Sequence, residues 1–179
     1  MKKIYLLLVL FMSFQTSFAC SCGFFWPNEA ILKDLTENSD LVVFGHPIKN
    51  INDTFISDNP KYMGTMILFK VDSLIKGELK SDTIFINQQT VGNCSQNFMP
   101  NEQYVIFGNQ IVQYETIAKN DYYAHADYIK KNKTLKFHNS NNTLPIFENL
   151  TKKYVTITTS QCVSFTNEEP IVWHYFNLK

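Results

Sequence analysis

Asn38-Ser39-Asp40-Leu41-Val42-Val43-Phe44-Gly45-His46-Pro47-Ile48-Lys49-Asn50-Ile51 is a turn that runs directly into a long apolar stretch. Asn, Ser and Asp side chains hydrogen-bond to nearby backbone, which favours a turn at 38–40. Leu41 to Ile51 reads as a strand, and Gly45 inside it marks a bulge or bend. Upstream, Pro27 to Glu37 reads as a helix. Pro27 suits a first turn, and Ala30, Ile31, Asp34 and Leu35 follow helical spacing. Downstream come strands at Tyr62 to Ile75, Thr83 to Asn87, Gln103 to Gly108 and Tyr154 to Thr159, with Lys76-Gly77-Glu78 as a turn. Gln88 to Glu102 is a long connection carrying Cys94. Tyr114 to Ala118 reads as extended and Asp121 to Ile129 as a helical turn. Lys130 to Asn142 is Lys- and Asn-rich and expected to be exposed, with a loop at Asn139 to Asn142. Glu168 to Phe176 closes the chain as a helix whose start Pro170 limits. Five strands and few helices, joined irregularly, predict a mainly β protein built as a small closed barrel with short flanking helices.

The chain has 179 residues, 45% hydrophobic and 15% aromatic, enough for one core and one domain. Sixteen basic residues balance sixteen acidic ones, and every basic residue is lysine. A nucleic-acid partner would need a basic face, which this balance does not supply. Without arginine the chain also lacks the usual group for bidentate phosphate or carboxylate recognition.

The first nineteen residues read as an export signal. Lys2 and Lys3 precede the apolar run Ile4 to Met12, and Ser17-Phe18-Ala19 presents small residues before Cys20. The run is short against the about 20 apolar residues of a spanning helix. The expected mature chain is residues 20–179, with a core of about 20–165 and an extension over 166–179. Losing Lys2 and Lys3 leaves 14 basic against 16 acidic residues, a net charge of −2. It is expected to be secreted, extracellular or periplasmic. A lipoprotein signal would also leave Cys20 first, so a membrane enters only through lipidation of Cys20.

All four cysteines, Cys20, Cys22, Cys94 and Cys162, fall in the expected mature chain. An even count in an exported chain reads as disulfides. A Cys20–Cys22 bond would close a strained ring. Two crossed pairings remain, and each ties the chain head to Cys94 and Cys162.

In this order the motifs resemble the N-terminal domain of the tissue inhibitors of metalloproteinases, the netrin-like branch of the OB-fold. The Cys20-Ser21-Cys22 head is similar to that family's Cys-x-Cys start. Asn38-Ser39-Asp40-Leu41-Val42-Val43 resembles its run into the first strand, and Lys76-Gly77 its second strand end. Thr158-Thr159-Ser160-Gln161-Cys162 resembles its Thr-Thr-Cys with two residues inserted. Cys94, ahead of Phe98, stands where the family places the partner of its first cysteine. The resemblance runs from Cys20 to about Cys162.

The resemblance implies an OB-fold barrel and disulfides Cys20–Cys94 and Cys22–Cys162. It implies a metalloproteinase inhibitor, not an enzyme, with no cofactor of its own. The α-amine and carbonyl of Cys20 would chelate the zinc of a partner protease, and Ser21 would enter its specificity pocket. Phe24, Phe25 and Trp26 either add apolar contact area there or pack on the barrel. The chain departs from the pattern in four places, the first being a helix segment between Cys22 and Asn38 that is longer than usual. Glu37 stands where a third cysteine is usual, the cysteine-rich second domain is absent, and a polar insertion from about Lys119 to Asn149 has no counterpart.

Two other functions are weighed against the same sequence: a non-inhibitory binding module at the cell surface, free or lipid-anchored, and a redox enzyme using Cys20-x-Cys22, which requires that pair not to be locked to Cys94 and Cys162. His46, His125, His138 and His174 are scattered without metal-ligand spacing. Glycosylation acceptor patterns at Asn52, Asn93, Asn132, Asn141 and Asn149 are expected by chance in so Asn-rich a chain.

Overall fold

The computed structural model describes residues 26–51, 66–88, 95–117, 127–137, 142–166 and 168–178. Helix α1 (Glu29–Asn38) comes first, then strands β1 (Leu41–Asn50), β2 (Met66–Lys76), β3 (Thr83–Asn87) and β4 (Tyr104–Ile111). Three short strands follow or interleave: β5 (Gln113–Thr116), β6 (Asp127–Ile129) and β7 (Thr134–Phe137). Helix α2 (Leu144–Lys153), β8 (Val155–Thr158), β9 (Ser164–Thr166) and helix α3 (Pro170–Tyr175) complete the chain.

The strands pair in the order β1-β2-β3-β8-β4, and a further β1–β4 ladder closes the ring. Four of its five joints are antiparallel and β3–β8 is parallel. This is a closed five-stranded mixed barrel of the OB-fold kind, as the strand pattern predicts. Side chains alternate across each strand. Leu41, Val43, Ile67, Phe69, Ile84, Ile86, Tyr104, Ile106 and Ile157 fill the interior. The opposite faces of β1 and β4 are also covered: Val42, Phe44, Val105 and Phe107 pack with Leu32 of α1, Phe165 of β9 and Val172 of α3. Burial on both faces is why these strands read as unbroken apolar runs rather than alternating ones.

Two quoted motifs meet in space. Asn28 caps α1 by accepting from the Ile31 amide at 3.0 Å. At the other helix end, the Lys76 ammonium donates to the carbonyls of Thr36 at 2.7 Å and Glu37 at 2.9 Å. Those carbonyls have no partner within the helix, and a cation suits the negative dipole end. Gly77 follows with φ 97°, and a Cβ there would stand 2.7 Å from the Asp40 carbonyl oxygen. Lys76-Gly77 is therefore the C-terminal clamp on the helix and turn that launch β1. Asp40 itself accepts from the Gln110 amide at 2.9 Å, and its own amide donates to the Gly108 carbonyl at 3.0 Å.

The region expected to be a polar exposed insertion is different. Lys130 to Asn142 contains β7, in which Leu135 and Phe137 are buried. The expected helical turn ends instead in the strand β6, with 121–126 outside the described residues. Strands β5, β7 and β6 form a second sheet, in that order. Phe137, Tyr114 and Phe147 of α2 pack on Phe85, which faces out of the barrel from β3. Polar clasps add to this apolar contact. Lys133 pairs with Asp40 at 3.1 Å, and the Tyr128 hydroxyl donates to the Gln110 carbonyl at 2.8 Å.

That hydroxyl carries a prediction. Burial first, and the nearby Asp40 charge second, push the Tyr128 phenol up to about 12 from its ordinary 10. A raised phenol binds its proton more tightly folded than unfolded, so its contribution is complete below pH 10 and is lost as pH rises from 10 to about 12. Tyr104 and Tyr114 shift in the same direction, chiefly through burial. Urea midpoints should hold steady to about pH 9.5 and then fall, and Tyr128→Phe should flatten part of that fall. An unchanged alkaline slope in the variant would refute the assignment.

Candidate functional site

The chain head lies outside the described residues, and so do Cys20, Ser21, Cys22 and Cys94. What the structure provides is the ground on which the head would be anchored. Cys162 sits half-buried in a 3-10 turn, Gln161–Val163, just after β8. It is disulfide-bonded. The turn is held firmly. The Thr159 hydroxyl donates to the Phe107 carbonyl at 3.0 Å and meets the Ser164 hydroxyl at 2.9 Å, and the Val163 amide closes on the Ser160 carbonyl at 3.1 Å.

The segment that carries Cys94 is fixed on both flanks. Gln88, almost fully buried, accepts from the Gln96 amide at 2.8 Å and donates to the Gln96 carbonyl at 3.2 Å. This side-chain amide acts as a two-point clasp that brings residue 96 back to residue 88. Ser95 is buried, and Phe98 inserts into the barrel interior. Beyond it, the Tyr104 hydroxyl accepts from the Met99 amide at 2.8 Å and donates to the Glu102 carboxylate at 2.9 Å.

Register places these two segments at one end of the barrel. Strands β3 and β8 run parallel, with Ile84 opposite Val155 and Ile86 opposite Ile157. Gln88 and Thr159 therefore leave the same end of the barrel. The chain enters β4 there too, since Tyr104 lies beyond the β4–β8 contact at Asn109 and Thr158. The flanks of Cys94 and the Cys162 turn thus share one barrel end.

Of the aromatic run beside the head, Phe24 and Phe25 lie outside the described residues. Trp26 is 75% exposed, so for this ring the barrel-packing alternative does not hold. Among the other singled-out residues, His46 Nδ1 meets Asp72 Oδ2 at 2.9 Å on the outer face of β1 and β2, and His174 is exposed on α3. No group of three His, Cys, Asp or Glu suited to a metal occurs among the described residues. The Gln88 clasp has no counterpart in the sequence reading, because an isolated amide leaves no periodic trace.

The fold defines the class, an OB-type barrel with a second sheet docked on its flank. Comparison with known proteins adds no relative: no family model, no curated protein and no solved structure matches the chain.

Proposed function

We propose that the mature protein inhibits a zinc endopeptidase through its own N-terminus. Cleavage after Ala19 frees the amine of Cys20, and disulfides Cys20–Cys94 and Cys22–Cys162 hold the head. The observation that carries this reading is the shared barrel end of the two anchor segments, together with the bonded state of Cys162. Two residues of extended chain separate Cys20 from Cys22 by at most about 7 Å. A disulfide spans a Cα–Cα distance of about 4.4–6.8 Å, so both pairings need anchors within about 20 Å of each other. Anchors at opposite ends of the barrel would fail this requirement. Anchors at one end are compatible with it.

The chemistry follows from the pinned terminus. A catalytic zinc keeps one coordination position open to water. An α-amine and the adjacent carbonyl oxygen can displace that water and bind the metal as a five-membered chelate, the zinc expanding to five-coordinate. The amine ionises near 7.7–8.0 in unperturbed chains, about one unit above neutrality, so its neutral form is cheap to reach. Ser21 presents a small side chain to a narrow cleft. Pinning at two points removes chain entropy before docking, and exposed Trp26 offers contact area beside the head.

The test compares the natively secreted protein with the same protein acetylated at its α-amine, against a panel of zinc endopeptidases. The free form should inhibit at least one of them, and acetylation should weaken that inhibition by two orders of magnitude or more. Failure of both forms across the panel, or a diacylglyceryl mass on Cys20, overturns the proposal.

A further inference from the structure

The opposite end of the barrel holds a groove that the inhibitory reading does not use. Strand β4 leaves β8 after Ile111 pairs with Thr156, and continues as β5 into the second sheet. Helix α2 runs into β8 on the facing side. The split between them is a groove of about 550 Å³. That volume lies within the roughly 300–1,000 Å³ common for small-molecule sites.

Its floor has hydrogen-bonding capacity to spare. The Tyr114 and Thr151 hydroxyls meet at 3.1 Å, and the Thr156 hydroxyl donates to Thr151 at 3.1 Å. Three hydroxyls carry three hydrogens, and these contacts use two. The third, on Tyr114 or Thr151, has no acceptor among the described residues. Burial raises the Tyr114 phenol, so it keeps its proton across the physiological range. The Asn87 amide also donates to this phenol, at 3.4 Å, so its oxygen is already accepting.

The rim is cationic. Lys80 and Lys152 line the groove, both exposed, and neither has an ion pair among the described residues. Glu148, one helical turn before Lys152, is the single carboxylate on the lining, and it lies beyond ion-pair distance of both. Exposed Val112 and the edge of Val155 supply an apolar wall.

We propose that this groove binds a small organic carboxylate. Its anionic oxygens meet the Lys80 and Lys152 ammonium groups, an oxygen accepts the spare hydroxyl hydrogen, and its carbon body lies on Val112. A bare inorganic anion would leave the apolar wall uncovered, and a neutral molecule would leave the two ammonium groups unanswered.

The test titrates the mature full-length protein by amide NMR with 4-hydroxybenzoate, with glucuronate and with inorganic phosphate. At least one carboxylate should give saturable shifts at Gln113, Tyr114 and Thr151, and the two arms distinguish an aromatic from a sugar body. The Lys80→Ala/Lys152→Ala double variant should bind at least tenfold more weakly while keeping its melting temperature. Absence of saturation with both carboxylates overturns the proposal. So does equal binding of phosphate, or unchanged affinity in the double variant.

Discussion

Gly45→Ala should cost the barrel about 3 kcal/mol, the upper part of the usual range for forcing atoms into a packed interior. A Cβ at this position would stand 1.9 Å from the Lys70 carbonyl oxygen and 2.9 Å from the Phe69 ring. The first obstacle is backbone, so no rotamer change relieves it. The strand cannot retreat either. Gly45 pairs with Val71 on one side and Tyr104 on the other, so moving it off β2 disturbs the β1–β4 ladder that closes the ring. The register slips between Phe44 and Gly45, which is the irregularity the glycine permits. The expected result is a lower urea midpoint at unchanged slope. Against a total stability of about 5–15 kcal/mol, that loss is large. A loss under about 1 kcal/mol would mean that the bulge can relax, and the close approach would then not be a constraint.

Gly45 also shows what is legible in such a sequence. A glycine in a run of branched and aromatic residues has few roles, and the sequence alone marks a bulge or bend there, which the register shift resolves. The same holds for the five barrel strands and for α1, whose apolar positions repeat at the right period. The β3–β8 pairing is not local, and no pattern within Thr83 to Asn87 or Val155 to Thr158 states that they run parallel. The second sheet escapes for another reason. Its strands have three or four residues, too few for alternation to show, and β7 is flanked by lysines and asparagines. Helix α2 did carry a signal. Leu144, Phe147 and Leu150 repeat at three-residue spacing, and Pro145 sits in the first turn where proline is favoured. The polar Asn139-to-Asn142 stretch before it masks that start.

The candidate site residues divide in the same way. Cys162 and Cys94 stand out because cysteine is rare and chemically distinct, while their partners are implied only by the family resemblance. The features that hold their surroundings are ordinary amides, hydroxyls and one phenylalanine. Only the barrel register shows that Gln88 and Thr159 leave the same end, and this relation is what makes a doubly stapled head sterically reasonable.

Phe98→Ala tests how strongly one of those anchors is tied to the barrel. Phe98 is fully buried, with its ring 5.0 Å from Tyr104 in an edge-on contact and 6.1 Å from Phe69. Removing a buried phenyl group costs about 3–5 kcal/mol, because the surroundings collapse only partly into the space. Here collapse is resisted on two sides. Tyr104 is held through its hydroxyl by Met99 and Glu102, and Phe69 lies in β2 between two paired strands. The variant should therefore lose about 4 kcal/mol, read from its urea midpoint. The loss should also be local. Amide exchange should accelerate from Ser95 to Glu102 more than in β2 and β3, because Phe98 is the first ring after Cys94 to enter the core. Phe98→Leu keeps most of the apolar volume and should recover more than half of the stability. If the anchored-head reading holds, Phe98→Ala assayed well below its melting temperature should inhibit its target more weakly than Phe98→Leu, although neither substitution touches Cys20. Equal stability of the alanine and leucine variants would show that the ring is not the tie between the Cys94 segment and the barrel.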